Sequence, residues 1–266
     1  MSILNALALA VTLTDPCGGA QELLKKYLSA SPCVFVYGQA SVQMVYSGSN
    51  APNFTHTYGF PAPLANIGIT SNAQITIAFP SFQSRNGIGG ATDTELSYKQ
   101  LMYWDRKRGI LGGVLVSYQI PSGSAQLAAP GPGYSLSPLL NFALNRARTI
   151  ALNISLPVTN TTNPQPHEGR AWDFIPQAVL VWRSPGGTLL AGIVRYDFAA
   201  HAATTTLNFA QLLSRQFQIQ ATVSRVTNAF DYVDPIEGIP YGTVSVRTTS
   251  FTVGASYLIG KSEVPQ

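Results

Sequence analysis

Between Tyr134 and Pro157 the chain reads YSLSPLLNFALNRARTIALNISLP, and polarity alternates along it with a period of two residues. Ile150, Leu152, Ile154 and Leu156 fall on one face and Ala151, Asn153 and Ser155 on the other, the pattern of a strand with two unlike sides. Upstream, Leu136, Leu140, Phe142 and Leu144 oppose Ser137, Asn141, Ala143 and Asn145, and the polar link Asn145 to Arg148 is short enough to close a β-hairpin. The alternation recurs with Phe217, Ile219, Ala221 and Val223 against Gln218, Gln220, Thr222 and Ser224. It recurs again with Phe251, Val253, Ala255, Tyr257 and Ile259 against Ser250, Thr252, Gly254 and Ser256. Near the start, Gln39, Ser41 and Gln43 oppose Ala40, Val42, Met44 and Tyr46. Between Ala171 and Arg183 both faces are apolar, Phe174, Ala178 and Leu180 on one and Ile175, Val179 and Val181 on the other, so the pattern assigns no side there.

Read along the whole chain, the pattern predicts twelve strands: Val34 to Tyr46, Thr57 to Thr70, Ala73 to Ser81, Thr92 to Asp105, Gly109 to Ile120, Tyr134 to Leu144, Thr149 to Thr159, Ala171 to Arg183, Thr188 to Ala200, Thr204 to Leu213, Phe217 to Phe230 and Val244 to Gly260. The second is the weakest, because Pro61 and Pro63 interrupt it. Their connections alternate in length. Ser71-Asn72, Arg106 to Arg108, Asn145 to Arg148, Ser184 to Gly187 and Ser214 to Gln216 are short. Ser47 to His56, Phe82 to Ala91, Pro121 to Gly133, Asn160 to Arg170 and Asp231 to Thr243 are longer and rich in Gly, Pro, Ser and Asn; the link His201 to Ala203 breaks the rule. Short turns at one end, long loops at the other and an even strand count predict an up-and-down antiparallel transmembrane β-barrel, all-β, whose apolar faces meet lipid and whose polar faces line a lumen. The alternative is a soluble β-sandwich, in which a second sheet covers the apolar face.

Composition favours the barrel. Charged residues make up 11% of the chain, against roughly 25% in soluble domains. The net charge of +4 does not point to nucleic acid: the densest basic run, Arg106-Lys107-Arg108, sits in a predicted turn, and no basic stripe interleaved with aromatics exists. The expected partners are therefore outer-membrane lipid, a small-molecule solute and protein partners in that membrane, with no nucleic acid. Aromatics gather toward strand ends, where interfacial girdles would place them.

Ahead of the barrel, placed at residues 34–266, two segments differ in character. Met1 to Leu13 has the apolar run of an export signal without its basic start, and reads as a remnant of one. Asp15 to Ser31 carries Ala20, Leu23, Leu24 and Leu28 at helical spacing, so residues 14–33 are expected to hold a short helix that either plugs or caps the barrel. Cys17 and Cys33 flank it, at a spacing compatible with a disulfide in an oxidising compartment.

A cysteine before a short helix, a second opening CVFVYGQASVQMVYS, then TELSYKQLMYW and GGVLVSYQIPSGS resemble the outer-membrane transporters of the phenol-degradation meta-pathway family, over most of Asp15 to Gly260. The resemblance implies a twelve-stranded barrel of a Gram-negative outer membrane, porin-like, that passes hydrophobic or aromatic compounds. The chain departs from that pattern in its short export signal and in a last strand ending Tyr257-Leu258-Ile259-Gly260 without a terminal aromatic.

No chemistry of catalysis is spelled out. HExxH, CxxC and GxSxG are absent, His56, His167 and His201 lie in predicted loops, and Asp231, Asp234 and Glu237 lack the regular ligand spacing of a Ca²⁺ loop. Neither an enzyme, a metal nor a cofactor is expected. The informative polar residues are those predicted to point inward: Gln39, Gln43, Glu95, Lys99, Asn141, Asn145, Asn153, Asp173, Gln177, Arg195, Asp197, Gln218 and Gln220. Charges inside a narrow barrel must be paired or hydrated, so this set either fills the lumen as a polar network or lines a path for small, weakly polar solutes. The function expected is passive uptake through the outer membrane, with short turns and both termini periplasmic; a non-conducting structural barrel is the alternative.

Overall fold

The computed structural model describes residues 30–51, 55–85, 88–105, 107–125, 129, 131–145, 147, 149–162, 170–184, 186–233 and 240–260. The predicted N-terminal helix and the export-signal remnant lie outside them. Twelve strands follow in order: β1 (Ala40–Ala51), β2 (Thr55–Gly68), β3 (Ala73–Ala78, continuing as Phe82–Arg85), β4 (Ile88–Ala91, continuing as Thr94–Asp105), β5 (Ile110–Ile120) and β6 (Gly133–Ala143). Then come β7 (Ile150–Ser155, continuing as Val158–Thr162), β8 (Arg170–Phe174, continuing as Gln177–Arg183), β9 (Thr188–Asp197), β10 (Ala202–Leu212), β11 (Phe217–Val233) and β12 (Pro240–Ile259). Each pairs antiparallel with the next. β1 also pairs with β12, Ala40 facing Ile67 on one side and Ile259 on the other, so the sheet closes on itself and leaves no edge.

The interruptions in β3, β7 and β8 fall at Pro80, Pro157 and Pro176, residues with no N–H to give the ladder. The wall nevertheless continues through them. Phe79 N donates to Pro63 O at 2.9 Å, Leu156 N to Pro138 O at 3.1 Å, Ile175 N to Pro157 O at 2.9 Å and Tyr196 N to Pro176 O at 3.1 Å. β2 runs through both prolines for different reasons: Pro61 falls at a register shift opposite Tyr46, where no ladder donor is required, and Pro63 O accepts from Phe79 N.

Two expectations about boundaries are corrected. Val34 does not open β1, which begins at Ala40 after a turn at Tyr37-Gly38. The stretches read as loops at 47–56, 82–91 and 231–243 are largely strand, since β1 pairs with β2 out to Ala51 opposite Thr55, β3 with β4 out to Arg85 opposite Ile88 and β11 with β12 out to Val233 opposite Pro240. Backbone pairing needs no apolar face, so a hairpin can extend past the point where the hydrophobic alternation stops.

Alternation sorts the wall into two surfaces. Outward, Leu180 is 53% exposed, Val223 56% and Leu207 69%, with Leu136, Val194, Phe251 and Val253 also exposed. Inward, Ser41, Val179, Val181, Asn153 and Gln218 are buried. This settles β8, where Val179 and Val181 face in and Leu180 and Trp182 face out. A continuous apolar surface right around a closed barrel cannot rest against water; it is a bilayer-facing belt. The barrel is therefore read as crossing a membrane with its strands.

Candidate functional site

Residues 30–36 run through the short-turn end of the lumen. Ala30 lies among Val179, Val181, Leu189, Ala191 and Ala210 of β8, β9 and β10. Cys33 and Val34 pack on Leu101 and Leu111 of β4 and β5, with Trp104 against them, and Phe35 packs on Leu258 and Leu212. The segment thus crosses from one wall to the other and leaves beside the β2–β3 turn, where Tyr37 N donates to Thr70 O at 3.0 Å. Phe35 is 0% exposed and Val34 2%, so this layer is dry.

Polar groups fasten the segment by its backbone. Phe35 N donates to Gln74 Oε1 at 2.8 Å, Lys99 Nζ donates to Cys33 O at 3.2 Å, and Val36 N donates to Gln39 Oε1 at 3.3 Å. Gln74 is itself fixed: its Nε2 donates to Asn66 Oδ1 and Thr76 Oγ1, and Asn66 Nδ2 donates to Ser41 Oγ. Three neighbouring strands therefore present one preorganised acceptor to one backbone N–H. The wall is also shaped to the segment. A Cβ on Gly68 would lie 2.0 Å from Val36 O, and one on Gly113 3.0 Å from the Pro32 ring.

Toward the long-loop end the lining turns to amides and hydroxyls. Ser97 and Ser117 share a bond of 2.8 Å with Ser97 also donating to Glu95, Thr206 and Ser224 share one of 2.8 Å, and Asn208 donates to Thr222 at 3.0 Å. The pair Asn141 Nδ2 to Asn153 Oδ1, at 2.7 Å, lies lower, level with the dry layer, opposite Leu111 and Val179. By alternation Gln43, Glu95, Lys99, Asn141, Asn153, Asp173, Gln177, Arg195, Asp197, Gln218 and Gln220 point inward, and Gln39 lies just below β1 with its side chain buried. They do not form one set. Gln39 and Lys99 hold the crossing segment. Asp173 accepts from Ala199 N and Asp197 from Ala200 N, fixing the β9–β10 turn, in which His201 takes a φ of 46°. Asn145 lies in the β6–β7 turn, where its Oδ1 accepts from Thr149 N and Ile150 N. Glu95 and Arg195 are the two of the set that carry charge and remain exposed in the lumen.

Two polar residues that no motif announced organise the long-loop rim. Asp93 accepts from Gln119 Nε2, Gly123 N and Ala129 N at 2.9, 2.9 and 2.8 Å, drawing the loop after β5 against β4. Arg170 lies over the Tyr134 ring at 4.8 Å and donates to Pro132 O and to Asn160. Gln74, the acceptor on which the crossing segment hangs, was equally silent, because its partner is a backbone N–H 39 residues away.

No protein-family profile and no curated protein sequence matches the chain. Solved structures do. The KdgM porin is similar with a TM-score of 0.53 at 9% identity, over 81% of this chain and 98% of that one. The NanC porin is similar at 0.55 and 11% identity, over 80% and 98%. The COG4313 outer membrane channel from Pseudomonas putida F1 is similar at 0.55 and 11% identity, over 85% and 96%. The chain shares the fold of these outer-membrane barrels. At such identities the likeness speaks to fold and carries no solute with it.

Proposed function

We propose that the chain is a passive outer-membrane channel for the uptake of small molecules, hydrophobic and aromatic ones included, with the short turns and both termini on the periplasmic side. The observation that carries this reading is the union of a bilayer-facing belt with a polar lumen crossed at one end by a separate segment of chain that is not part of the wall. A wall bonded all the way round has no need of residues 30–36; a gate does. Among the described residues the lining is mostly amide and hydroxyl, with Glu95 and Arg195 as its exposed charges, and it suits uncharged or weakly polar solutes better than ions. The resemblance to transporters of the phenol-degradation meta-pathway family points to the same class of solute. Cys33 sits in the dry layer, and a disulfide to Cys17, the chain's other cysteine, would tether the segment in place.

Single-channel conductance of the refolded protein in a planar bilayer tests this, before and after reduction. The reading expects little current with the cysteines oxidised, steady current once the segment is free, and passage of small aromatics in liposome swelling. Silence in both states, from protein that is inserted and heat-modifiable on a gel, would overturn it in favour of a non-conducting structural barrel, the reading that the dry layer by itself favours.

A further inference from the structure

Among the described residues, two sectors of the outward rim at the long-loop end differ in kind. On β5, β6, β8 and β9 it is aromatic: Tyr118 and Tyr134 lie 5.0 Å apart, Phe174 and Phe198 stack at 5.7 Å, and Tyr196 meets Phe198 edge-on at 4.7 Å. On β10, β11 and β12 that girdle is replaced. Above the exposed Leu207, Val223 and Phe251, the next outward positions are Thr205, Arg225 and Thr249, then Thr227 and Arg247.

Register sets these groups side by side. Arg225 lies between Thr205 of β10 and Thr249 of β12, and Thr227 lies opposite Arg247. The two arginines are thus diagonal neighbours on one pair of strands, about 7–8 Å apart at the backbone. Both are exposed, and neither makes an ion pair among the described residues. The nearest carboxylate along either strand, Asp231, is four positions beyond Thr227. A guanidinium one step above a lipid-facing valine is costly unless it meets headgroups there, and its fork of donors matches a phosphate, with flanking hydroxyls to complete the bonds.

We propose that Arg225 and Arg247, with Thr205, Thr227 and Thr249, bind the phosphates of the glucosamine glycolipid, lipid A, of the outer leaflet. This rests on the orientation given above, which puts the long-loop rim outside. Two cations at adjacent register positions fit a headgroup carrying two phosphates, and the charge on this sector is wholly of one sign among its described side chains.

The test uses the full-length protein in detergent, its binding to bisphosphorylated lipid A, to the monophosphorylated form and to phosphatidylglycerol read by native mass spectrometry. The proposal expects tightest binding to bisphosphorylated lipid A, a loss of about tenfold or more in the Arg225→Gln/Arg247→Gln double variant, and no change in Arg215→Gln at the opposite rim. Wild-type affinity in the double variant, or equal binding of phosphatidylglycerol, would overturn it. Orientation is read separately from Ala125→Cys, in the loop after β5, with an impermeant maleimide on intact cells. Labelling there with lipid binding insensitive to the arginines sinks the lipid site alone; no labelling sinks the orientation and the lipid site together.

Discussion

Gln74 shows how much of the crossing segment's placement rests on one acceptor. Its Oε1 takes the Phe35 N–H in a layer from which water is excluded, and Asn66 and Thr76 keep the amide from turning. A net hydrogen bond of this kind is worth about 0.5–1.5 kcal/mol, and leaving the donor buried and unpaired costs about 1–3 kcal/mol. Gln74→Leu keeps the bulk and removes the acceptor. The Phe35 amide should then exchange with deuterium about tenfold faster or more, measured on the peptide from Val34 to Tyr37, while amides of β10 and β11 keep wild-type protection. Lys99 is the complementary case: it is 4% exposed, and its ammonium donates to Cys33 O. Its inward position is legible from alternation on β4, but its task is not. Sequence pattern tells which way a side chain points and is silent about a backbone carbonyl brought to meet it from 66 residues away.

At the scale of the element, the segment 30–36 marks the limit of the hydrophobic pattern as a guide. Cys33-Val34-Phe35-Val36 leads into Gln39 and Ser41 without a break in apolar character, so periodicity extends the first strand back to Val34. The structure begins the strand only at Ala40, because Gly38, at a φ of 82°, turns the chain, and the apolar run before it is buried inside the lumen. A run buried on all sides carries no period. The same reasoning explains β8, whose two apolar faces meet different environments: Val179 and Val181 meet Ala30, and Leu180 meets lipid. Strands with one polar side, such as β7 and β11, were legible where the alternation runs, over Ile150 to Ser155 and Phe217 to Ser224, though not to their ends. If the segment is an occupant of the barrel and not part of its wall, Phe35→Ala should loosen the segment alone. Truncating a fully buried Phe costs about 3–5 kcal/mol in a core. Here that loss should appear as limited proteolysis between Ser31 and Gly38 and as a rise in bilayer conductance, with the heat-modifiable band and the β circular dichroism unchanged. Loss of that band would show that the wall depends on the segment for its own folding.

For the molecule as a whole, the choice between barrel and sandwich turns on the solvent at the outward face, and one position separates them. Leu207 is 69% exposed at the middle of β10, beside Gly192 of β9 and Val223 of β11, with Phe209 two residues along. Among the described residues no second sheet covers it: the strands form one closed sheet, and both neighbours of β10 are already paired. In water, Leu207→Arg would exchange one exposed side chain for another and leave stability within about 0.5 kcal/mol. In a bilayer, it carries a guanidinium to the depth where an outward Arg costs about 2–4 kcal/mol, less what snorkelling recovers. Equilibrium unfolding of the protein refolded into phospholipid vesicles should show a loss in that range for Leu207→Arg. Thr205→Arg, one outward step toward the rim on the same strand, should cost about 0–1 kcal/mol. The depth dependence is the point of the pair. A destabilisation that fades toward the rim requires a low-dielectric slab outside the barrel, and two equal values near zero would mean that the outward apolar belt faces something other than lipid.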